Sequence, residues 1–209
     1  DLTPLKTKVV EAMGNEHTFD LWFSQLLHYS LVETVTENYS DFSSIAAAVF
    51  DMVAQKFNKT VAEEKKHSIL STIKELPPHS DVLPALERLK NNRFKIVALT
   101  NGNQEVVEKQ LAHANIDHFF NRIFSVEQVA RYKPHRSTYE SVLEIMKVPA
   151  KETLMVAAHA WDLIGAKRAG MQTAFVIREG KSMYPLSEQP DLTGKTILEI
   201  AEKIGFKTL

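Results

Sequence analysis

The hydrophobic pattern of the first 75 residues is helical. Residues 19–35 (FDLWFSQLLHYSLVETV) repeat apolar side chains every three or four positions, in the series Phe19, Trp22, Phe23, Leu26, Leu27 and Leu31. This is the spacing of one face of an α-helix. A second run begins after Asp41, a residue type favoured at helix N-caps. A third amphipathic stretch, residues 61–76, stops at Pro77 and Pro78. The pattern predicts helices and no strand in this part of the chain.

After the two prolines, short apolar runs alternate with amphipathic stretches. The predicted strands are FKIVALT (94–100), RIFSV (122–126), TLMVAA (153–158) and TAFVI (173–177). The predicted helices lie in residues 81–92, 101–115, 134–148 and 160–170, the last closed by Gly170. Strands that alternate with helices indicate βαβ units and a mostly parallel sheet. We therefore expect an α/β protein with a helical unit near residues 8–76 and an α/β unit near residues 77–209.

The composition is that of a globular protein, and it narrows the classes of partner. Of the 209 residues, 44% are hydrophobic and 24% are charged, and the formal net charge is −1. This balance gives no electrostatic support for binding nucleic acid or an anionic membrane, so neither is expected. No membrane span or signal-peptide pattern is visible. The chain has no cysteine, which excludes disulfides, thiolate metal sites and a cysteine nucleophile, and fits a reducing cytoplasm.

Three groups of polar residues follow predicted strands. They are the turn Thr100–Asn101–Gly102, Lys133, and the stretch from His159 to Asp162. Ligand sites in parallel sheets lie beyond the carboxyl ends of the strands, so these groups are candidates for a common site. The Thr-Asn-Gly turn offers a hydroxyl, a carboxamide and backbone N–H groups at the start of a helix, which suit an anion. The same residue types also favour an ordinary helix cap and tight turn.

The other candidates also have two interpretations each. Lys133 can neutralise a carboxylate or a substrate anion, or it can be a solvated surface lysine with Pro134 in the first turn of the next helix. His159 can take part in chemistry or be a buried, hydrogen-bonded histidine. Asp162 can belong to a site or cap the helix that begins near Trp161. For Tyr139, the alternative to a supporting role is ordinary packing.

Taken together, the order of these motifs resembles the haloacid dehalogenase superfamily along essentially the whole chain. The motifs are Thr100-Asn101, the Lys133-Pro134 pair, and the strand and loop that lead to Asp162-x-x-Gly-Ala. The segments FDLWFSQLLHYSL, YKPHRSTYE, AHAWDLIGAKRAG and TAFVIREG are similar to the 2-haloacid dehalogenase (type II) branch. The resemblance implies a Rossmann-like core, residues 1–7 and 77–209, with a helical cap, residues 8–76.

The resemblance also implies a reaction without metal or other cofactor. An aspartate displaces halide from a small halogenated carboxylic acid, and water then hydrolyses the ester. By this resemblance, Lys133 keeps the nucleophile ionised, and Asp162 supports the site by positioning Lys133 or water. For His159 the expectation comes from its chemistry instead: an imidazole near the ester can activate water, or it can orient Asp162 or a neighbouring group. Substrate contacts are implied for Thr100, Asn101, Trp22, Phe23 and, as a supporting residue, Tyr139. A homodimer is expected by resemblance only.

The chain departs from the family pattern in three places. The nucleophilic aspartate is expected about seven positions upstream of Asp1 by analogy with the family, and Asp1 itself is not that residue. Phe23 stands where dehalogenases commonly have an arginine that helps to hold the halide, and His159 stands where the branch often has asparagine.

Two other functions stay open at this point. One is a magnesium-dependent phosphatase of the same superfamily. It is disfavoured because Ala158 stands where those enzymes carry a metal-binding acid. The other is a non-catalytic protein that binds small acids.

Overall fold

The computed structural model describes residues 1–205, which form nine α-helices, four short 3₁₀ helices and five β-strands. The α-helices are α1 (Thr3–Met13), α2 (Thr18–Val35), α3 (Phe42–Lys56), α4 (Glu63–Ser71), α5 (Val82–Asn91), α6 (Gln104–His113), α7 (Arg136–Met146), α8 (Ala160–Arg168) and α9 (Ile197–Gly205). The strands are β1 (Val97–Thr100), β2 (Arg122–Ser125), β3 (Leu154–Ala157), β4 (Gln172–Val176) and β5 (Leu192–Gly194). The 3₁₀ helices are Thr72–Glu75, Asp117–Phe119, Val126–Gln128 and Ala150–Glu152.

Residues 1–75 contain helices and no strand, as the hydrophobic pattern predicts. Asp41 caps α3, because its carboxylate accepts hydrogen bonds from the backbone N–H groups of Ser43 (3.0 Å) and Ser44 (3.1 Å). The predicted apolar face of α2 is only partly buried. Phe19, Trp22 and Leu26 are buried, whereas Leu31 is 41% exposed.

The contacts within the chain define two compact units. The first comprises residues 1–78, 100–118 and 125–130, and the second comprises residues 79–99, 119–124 and 131 onward. The predicted division into a cap (8–76) and a core (1–7 and 77–209) stays a prediction, and residues 206–209 lie outside the described residues.

The second unit contains a parallel three-stranded sheet in the order β3-β4-β5. Ala157 is paired with Phe175 across β3 and β4, and Ala174 with Leu192 across β4 and β5. β1 pairs separately with β2. The predicted strands all exist, with the first beginning at Val97 rather than Phe94, but β5 and α9 were not predicted from the sequence.

Both faces of β3 are covered by apolar side chains. Leu154, Val156 and Ala158 pack against a cluster that contains residues of β4 and α9. Met155 packs instead with Tyr139 and residues of α8. A strand covered on both faces reads as a continuous apolar run, which explains why residues 153–158 show no alternation of polar and apolar positions.

Candidate active site

Asp162 lies in the first turn of α8, directly beyond the end of β3. His159 is the N-cap residue of that helix, in an extended conformation. The Asp162 side chain is buried, and its two oxygens accept hydrogen bonds from Lys133 and Tyr139 rather than from the backbone of α8. The interpretation of Asp162 as a helix cap is therefore wrong, and its carboxylate is directed into a group of side chains.

Lys133 is buried and forms an ion pair with Asp162. Its ammonium donates to Asp162 Oδ2 at 2.7 Å and to the backbone carbonyl of Leu99 at 3.0 Å. The contact predicted between the two residues is present, and the surface-lysine interpretation is wrong. A pair removed from water needs close mutual contact, because either charge alone would be strongly disfavoured there.

Pro134 lies just before α7 rather than in its first turn, so that part of the prediction is also wrong. The helix begins at Arg136 with His135 as its N-cap, and the Lys133–Pro134 peptide bond is cis.

Tyr139 is fully buried and completes the group around Asp162. Its hydroxyl donates to Asp162 Oδ1 at 2.8 Å and lies 3.0 Å from the Asp162 carbonyl oxygen. Burial raises the pKa of Tyr139 well above its usual range, and the Asp162 carboxylate raises it further. The phenol therefore stays protonated, and Tyr139 acts on the site through Asp162.

His159 and Trp161 lie on the same loop and complete the group in the second unit. Burial lowers the pKa of His159 to about 4, with further lowering by Lys181 and Lys133 against the opposing effect of Asp162. The imidazole is therefore neutral at pH 7. Its ring centroid lies 5.4 Å from that of Trp161, and the Lys133 ammonium lies 5.9 Å from the Trp161 centroid.

Trp161 was missed as a site residue in the sequence. The signal available in the sequence was its position between His159 and Asp162. In the structure its ring lies beside the Lys133 ammonium, and an aromatic face attracts a positive charge.

The Thr100–Asn101–Gly102 turn belongs to the first unit and is held by internal hydrogen bonds. The Thr100 hydroxyl oxygen accepts from the Gly102 N–H at 2.9 Å, and the Ser125 hydroxyl donates to the Gly102 carbonyl at 2.8 Å. Asn101 is buried. The Thr100 hydroxyl therefore stabilises a tight turn, as the turn interpretation predicts.

The N-terminus of α6 already holds a carboxylate of the protein itself. Glu127 accepts from the Gln104 backbone N–H at 2.6 Å and from the Asn103 carboxamide at 3.2 Å. The expectation that backbone N–H groups here bind a substrate anion is wrong for Gly102 and Gln104, whose N–H groups are engaged. Glu127 was missed in the sequence, because nothing local to residue 127 indicates that it meets residue 104.

Trp22 and Phe23 lie in an aromatic group on α2 in the first unit. Trp22 is buried, and its indole N–H donates to the Ala46 carbonyl at 3.0 Å. Phe23 is half-buried and stacks on Phe19, with ring centroids 6.1 Å apart. The indole N–H of Trp22 is therefore engaged within the first unit, and the contact of Trp22 and Phe23 with substrate stays a prediction.

The structure thus assembles four of the predicted site residues in one unit. Lys133, Tyr139, His159 and Asp162 lie in the second unit, linked by the contacts given above. Thr100, Asn101, Trp22 and Phe23 lie in the first unit.

Comparison with known protein families gives a direct match. Residues 10–176 match the model of the haloacid dehalogenase-like hydrolase family. The chain belongs to this family. The superfamily inferred from the motifs is therefore confirmed, and so is the α/β class of the fold.

Among curated members of the family, the chain is similar to several dehalogenases. It is 26% identical to (S)-2-haloacid dehalogenase 2 of Pseudomonas sp. (strain CBS-3) over 186 residues, which are 89% of this chain and 81% of that protein. It is 28% identical to (S)-2-haloacid dehalogenase 4A of Burkholderia cepacia over 160 residues, 77% of this chain and 69% of the relative.

Solved structures of family members share the fold. The L-2-haloacid dehalogenase from Xanthobacter autotrophicus superposes with a TM-score of 0.90 at 20% identity, covering 98% of this chain and 93% of that one. A HAD (haloacid dehalogenase superfamily) phosphatase from Thermococcus onnurineus gives a TM-score of 0.61 at 19% identity, covering 98% and 88%. At these identities the likeness concerns the fold alone.

Two further observations bear on the chemistry open to this family member. Ala158, where the superfamily's phosphatases carry an acid, packs against the apolar cluster of Ala174, Val176 and Ile200. Within residues 1–205, no three histidine, aspartate or glutamate side chains are grouped in a way that would hold a metal ion.

In the same residues, no helix has the length and apolar character required to cross a bilayer.

Proposed function

We propose that this protein hydrolyses the carbon–halogen bond of small (S)-2-haloalkanoic acids and releases 2-hydroxy acids. The proposal is carried by the buried Lys133–Asp162–Tyr139 group at the end of β3, in a chain similar to curated (S)-2-haloacid dehalogenases over most of its length. Such a group can hold a second carboxylate in its ionised form, which a nucleophilic aspartate requires.

In the first step, the aspartate expected upstream of Asp1 attacks C2 of the substrate. A carboxylate oxygen forms a bond to C2, and the halide leaves with the electron pair of the broken bond. Lys133 favours the ionised nucleophile through its positive charge, and Asp162 fixes the position of that ammonium. Tyr139 fixes Asp162 in turn. Trp161 presents an aromatic surface beside these charged groups.

In the second step, His159 activates the water that hydrolyses the ester. The neutral imidazole accepts a proton as the water oxygen attacks the ester carbonyl carbon. The bond between that carbon and the oxygen attached to C2 breaks, and the departing oxygen receives the proton from the imidazole. The products are the 2-hydroxy acid and the carboxyl group of the nucleophile, which loses the remaining water proton to solvent and so returns to aspartate. The lowered pKa of His159 keeps the imidazole neutral and able to accept a proton at pH 7.

Substrate binding is assigned to the residues of the first unit. Asn101 and Thr100 bind the substrate carboxylate, and the rings of Trp22 and Phe23 exclude water from the alkyl group. Part of this proposal is the organisation into a cap, residues 8–76, and a core, residues 1–7 and 77–209. A homodimer in the cytoplasm is proposed with it.

The experiment that tests the function measures chloride release from (S)-2-chloropropionate by the full-length protein, with the (R) enantiomer as the matched control. Release from the (S) acid and little from the (R) acid is expected. Lys133→Met should lower the rate by about 10³-fold or more, since the nucleophile loses the charge that keeps it ionised. Retained activity in Lys133→Met, or no release by the unchanged protein, would contradict the proposal.

The loss of activity in Lys133→Met must be separated from unfolding, because this substitution leaves the Asp162 carboxylate buried without its cation. The double variant Lys133→Met/Asp162→Asn removes both charges and should recover much of the thermal stability lost in the single variant. It should still be inactive. Recovery of stability without recovery of activity assigns the loss to chemistry.

A further inference from the structure

The segment after β4 lies at the same sheet edge as the loop that carries His159. β3 and β4 are parallel neighbours, with Ala157 paired to Phe175. Parallel strands end at the same edge, so residues that follow Ala157 and residues that follow Val176 leave the sheet side by side. The first group includes His159, and the second includes Arg178 and Lys181.

The turn that carries Lys181 is fixed by hydrogen bonds within the second unit. Arg178 donates to both oxygens of Asp81, at 2.8 and 2.9 Å, and Asp81 also accepts from the Ile197 backbone N–H at 2.7 Å. The Lys181 backbone N–H donates to the Arg178 carbonyl at 3.0 Å, with Gly180 between them in the left-handed region (φ 69°). The backbone position of Lys181 is therefore set by the core.

The Lys181 ammonium has no hydrogen-bonded or ion-paired partner within residues 1–205, and its side chain is exposed. Lys133, by contrast, is neutralised by Asp162. The charges that act on His159 are those of Lys181, Asp162 and Lys133, and Lys181 contributes the largest effect of the three on the pKa of that imidazole. Lys181 is thus a positive charge that acts on His159 and that no carboxylate within residues 1–205 neutralises through an ion pair.

We propose that Lys181 also binds the carboxylate of the substrate, in addition to Thr100 and Asn101. This inference rests on the proposed function, in which an aspartate nucleophile adds a second negative charge beside Asp162. Lys133 balances only one of the two, so an anionic substrate would approach a site of net negative charge. A second cation at the edge removes this repulsion. Lys181 provides such a cation, because its backbone lies on a hydrogen-bonded turn and its flexible side chain carries the ammonium.

The test uses propionate, which carries the carboxylate but no halogen and so binds without reacting. Its affinity for the full-length protein is measured by calorimetry at low ionic strength for three variants. Lys181→Gln removes the charge, Lys181→Arg keeps it, and Lys151→Gln is the matched control. Lys151 is also exposed and lies before β3, three residues from Leu154, at the opposite end of the strand.

We expect Lys181→Gln to weaken propionate binding about five-fold, and Lys181→Arg and Lys151→Gln to stay within about two-fold of the unchanged protein. Binding of the neutral propionamide should be equal in all four proteins. Equal propionate affinities in Lys181→Gln and Lys151→Gln would overturn the proposal. The proposal would also be overturned if Lys181→Gln lost bromide binding but kept propionate binding, because that result would assign Lys181 to the halide.

Two readouts separate this inference from the proposed function. In an NMR titration, Lys181→Gln should raise the pKa of His159, because a neighbouring positive charge is removed, and Lys151→Gln should not. An unchanged pKa of His159 in Lys181→Gln would overturn the placement of Lys181. Lys181-dependent propionate binding in a protein that releases no halide would support the anion site and overturn the dehalogenase function alone.

Discussion

At the scale of single residues, His159 has a defined protonation state that bears on the second half of the reaction. Its neutral imidazole is expected to take a proton from water during ester hydrolysis, while halide release does not need it. His159→Ala should therefore release about one equivalent of halide per protein and then stall with the ester in place. Rapid-quench measurement of chloride and the intact mass of the protein after mixing would detect the burst and the trapped ester.

The same residue gives this prediction its control and its pH dependence. His67→Ala, an exposed histidine on α4, should show steady turnover. In the unchanged protein, ester hydrolysis should slow as the pH falls through about 4, where His159 gains its proton, and should be flat from about pH 5 upward. Steady turnover in His159→Ala would remove His159 from the mechanism.

At the scale of elements, the contact between α7 and α8 depends on a glycine. A Cβ atom at Gly165 would lie 2.6 Å from Tyr139 Cε2 and 2.7 Å from Pro134 Cβ, closer than carbon atoms approach. The absence of a side chain at residue 165 therefore allows Tyr139 to lie against α8 and reach Asp162, three residues earlier in the same helix.

Gly165→Ala should destabilise the protein by about 1–3 kcal/mol, despite the higher helix propensity of alanine, because the added methyl group overpacks this contact. Urea unfolding measures the loss. Halide release should also slow, because displacement of Tyr139 leaves Asp162 less firmly placed. Gly205→Ala is the matched control at the end of α9, where the nearest atom to the added Cβ is 3.8 Å away. Equal stabilities of the two variants would refute the packing argument.

At the scale of the whole molecule, several buried or hydrogen-bonded groups make the stability sensitive to acid. Burial lowers the pKa of His159 from its ordinary value of 6.5 to about 4, so the unfolded chain takes up this proton first. The hydrogen bond from Lys167 lowers the pKa of Asp191 below its ordinary 3.8. Burial raises the pKa of Asp81, but the hydrogen bonds from Arg178 and Ile197 outweigh it, and the net shift is downward.

A group with a lowered folded-state pKa stabilises the fold above its unfolded pKa and loses that effect as the pH falls through its folded pKa. The urea midpoint should therefore decline from about pH 6.5 toward pH 4, through His159, and fall further below about pH 3.8, through Asp81 and Asp191. His159→Gln should reduce the first decline and leave the second. A midpoint constant from pH 7 to pH 4 would contradict this assignment.

The sequence by itself determined the order and type of most elements, because their signals are local. Helical periodicity, the cap at Asp41 and the prolines at residues 77 and 78 act over a few residues, and each agrees with the structure. Short runs carry weaker signals, so β5, with three residues, was not predicted. The motifs also identified Lys133 and Asp162 as site candidates and the family to which the chain belongs.

Only the tertiary structure decided burial and the contacts between distant residues. Lys133 and Asp162 are 29 positions apart, and their pairing depends on the packing of α8 beside α7 and the end of β1. Tyr139 reaches Asp162 because Gly165 leaves room for its ring. Glu127 occupies the N-terminus of α6 from 23 positions away. Local pattern specifies which face of an element is apolar, but it does not specify which remote side chain comes to lie against it.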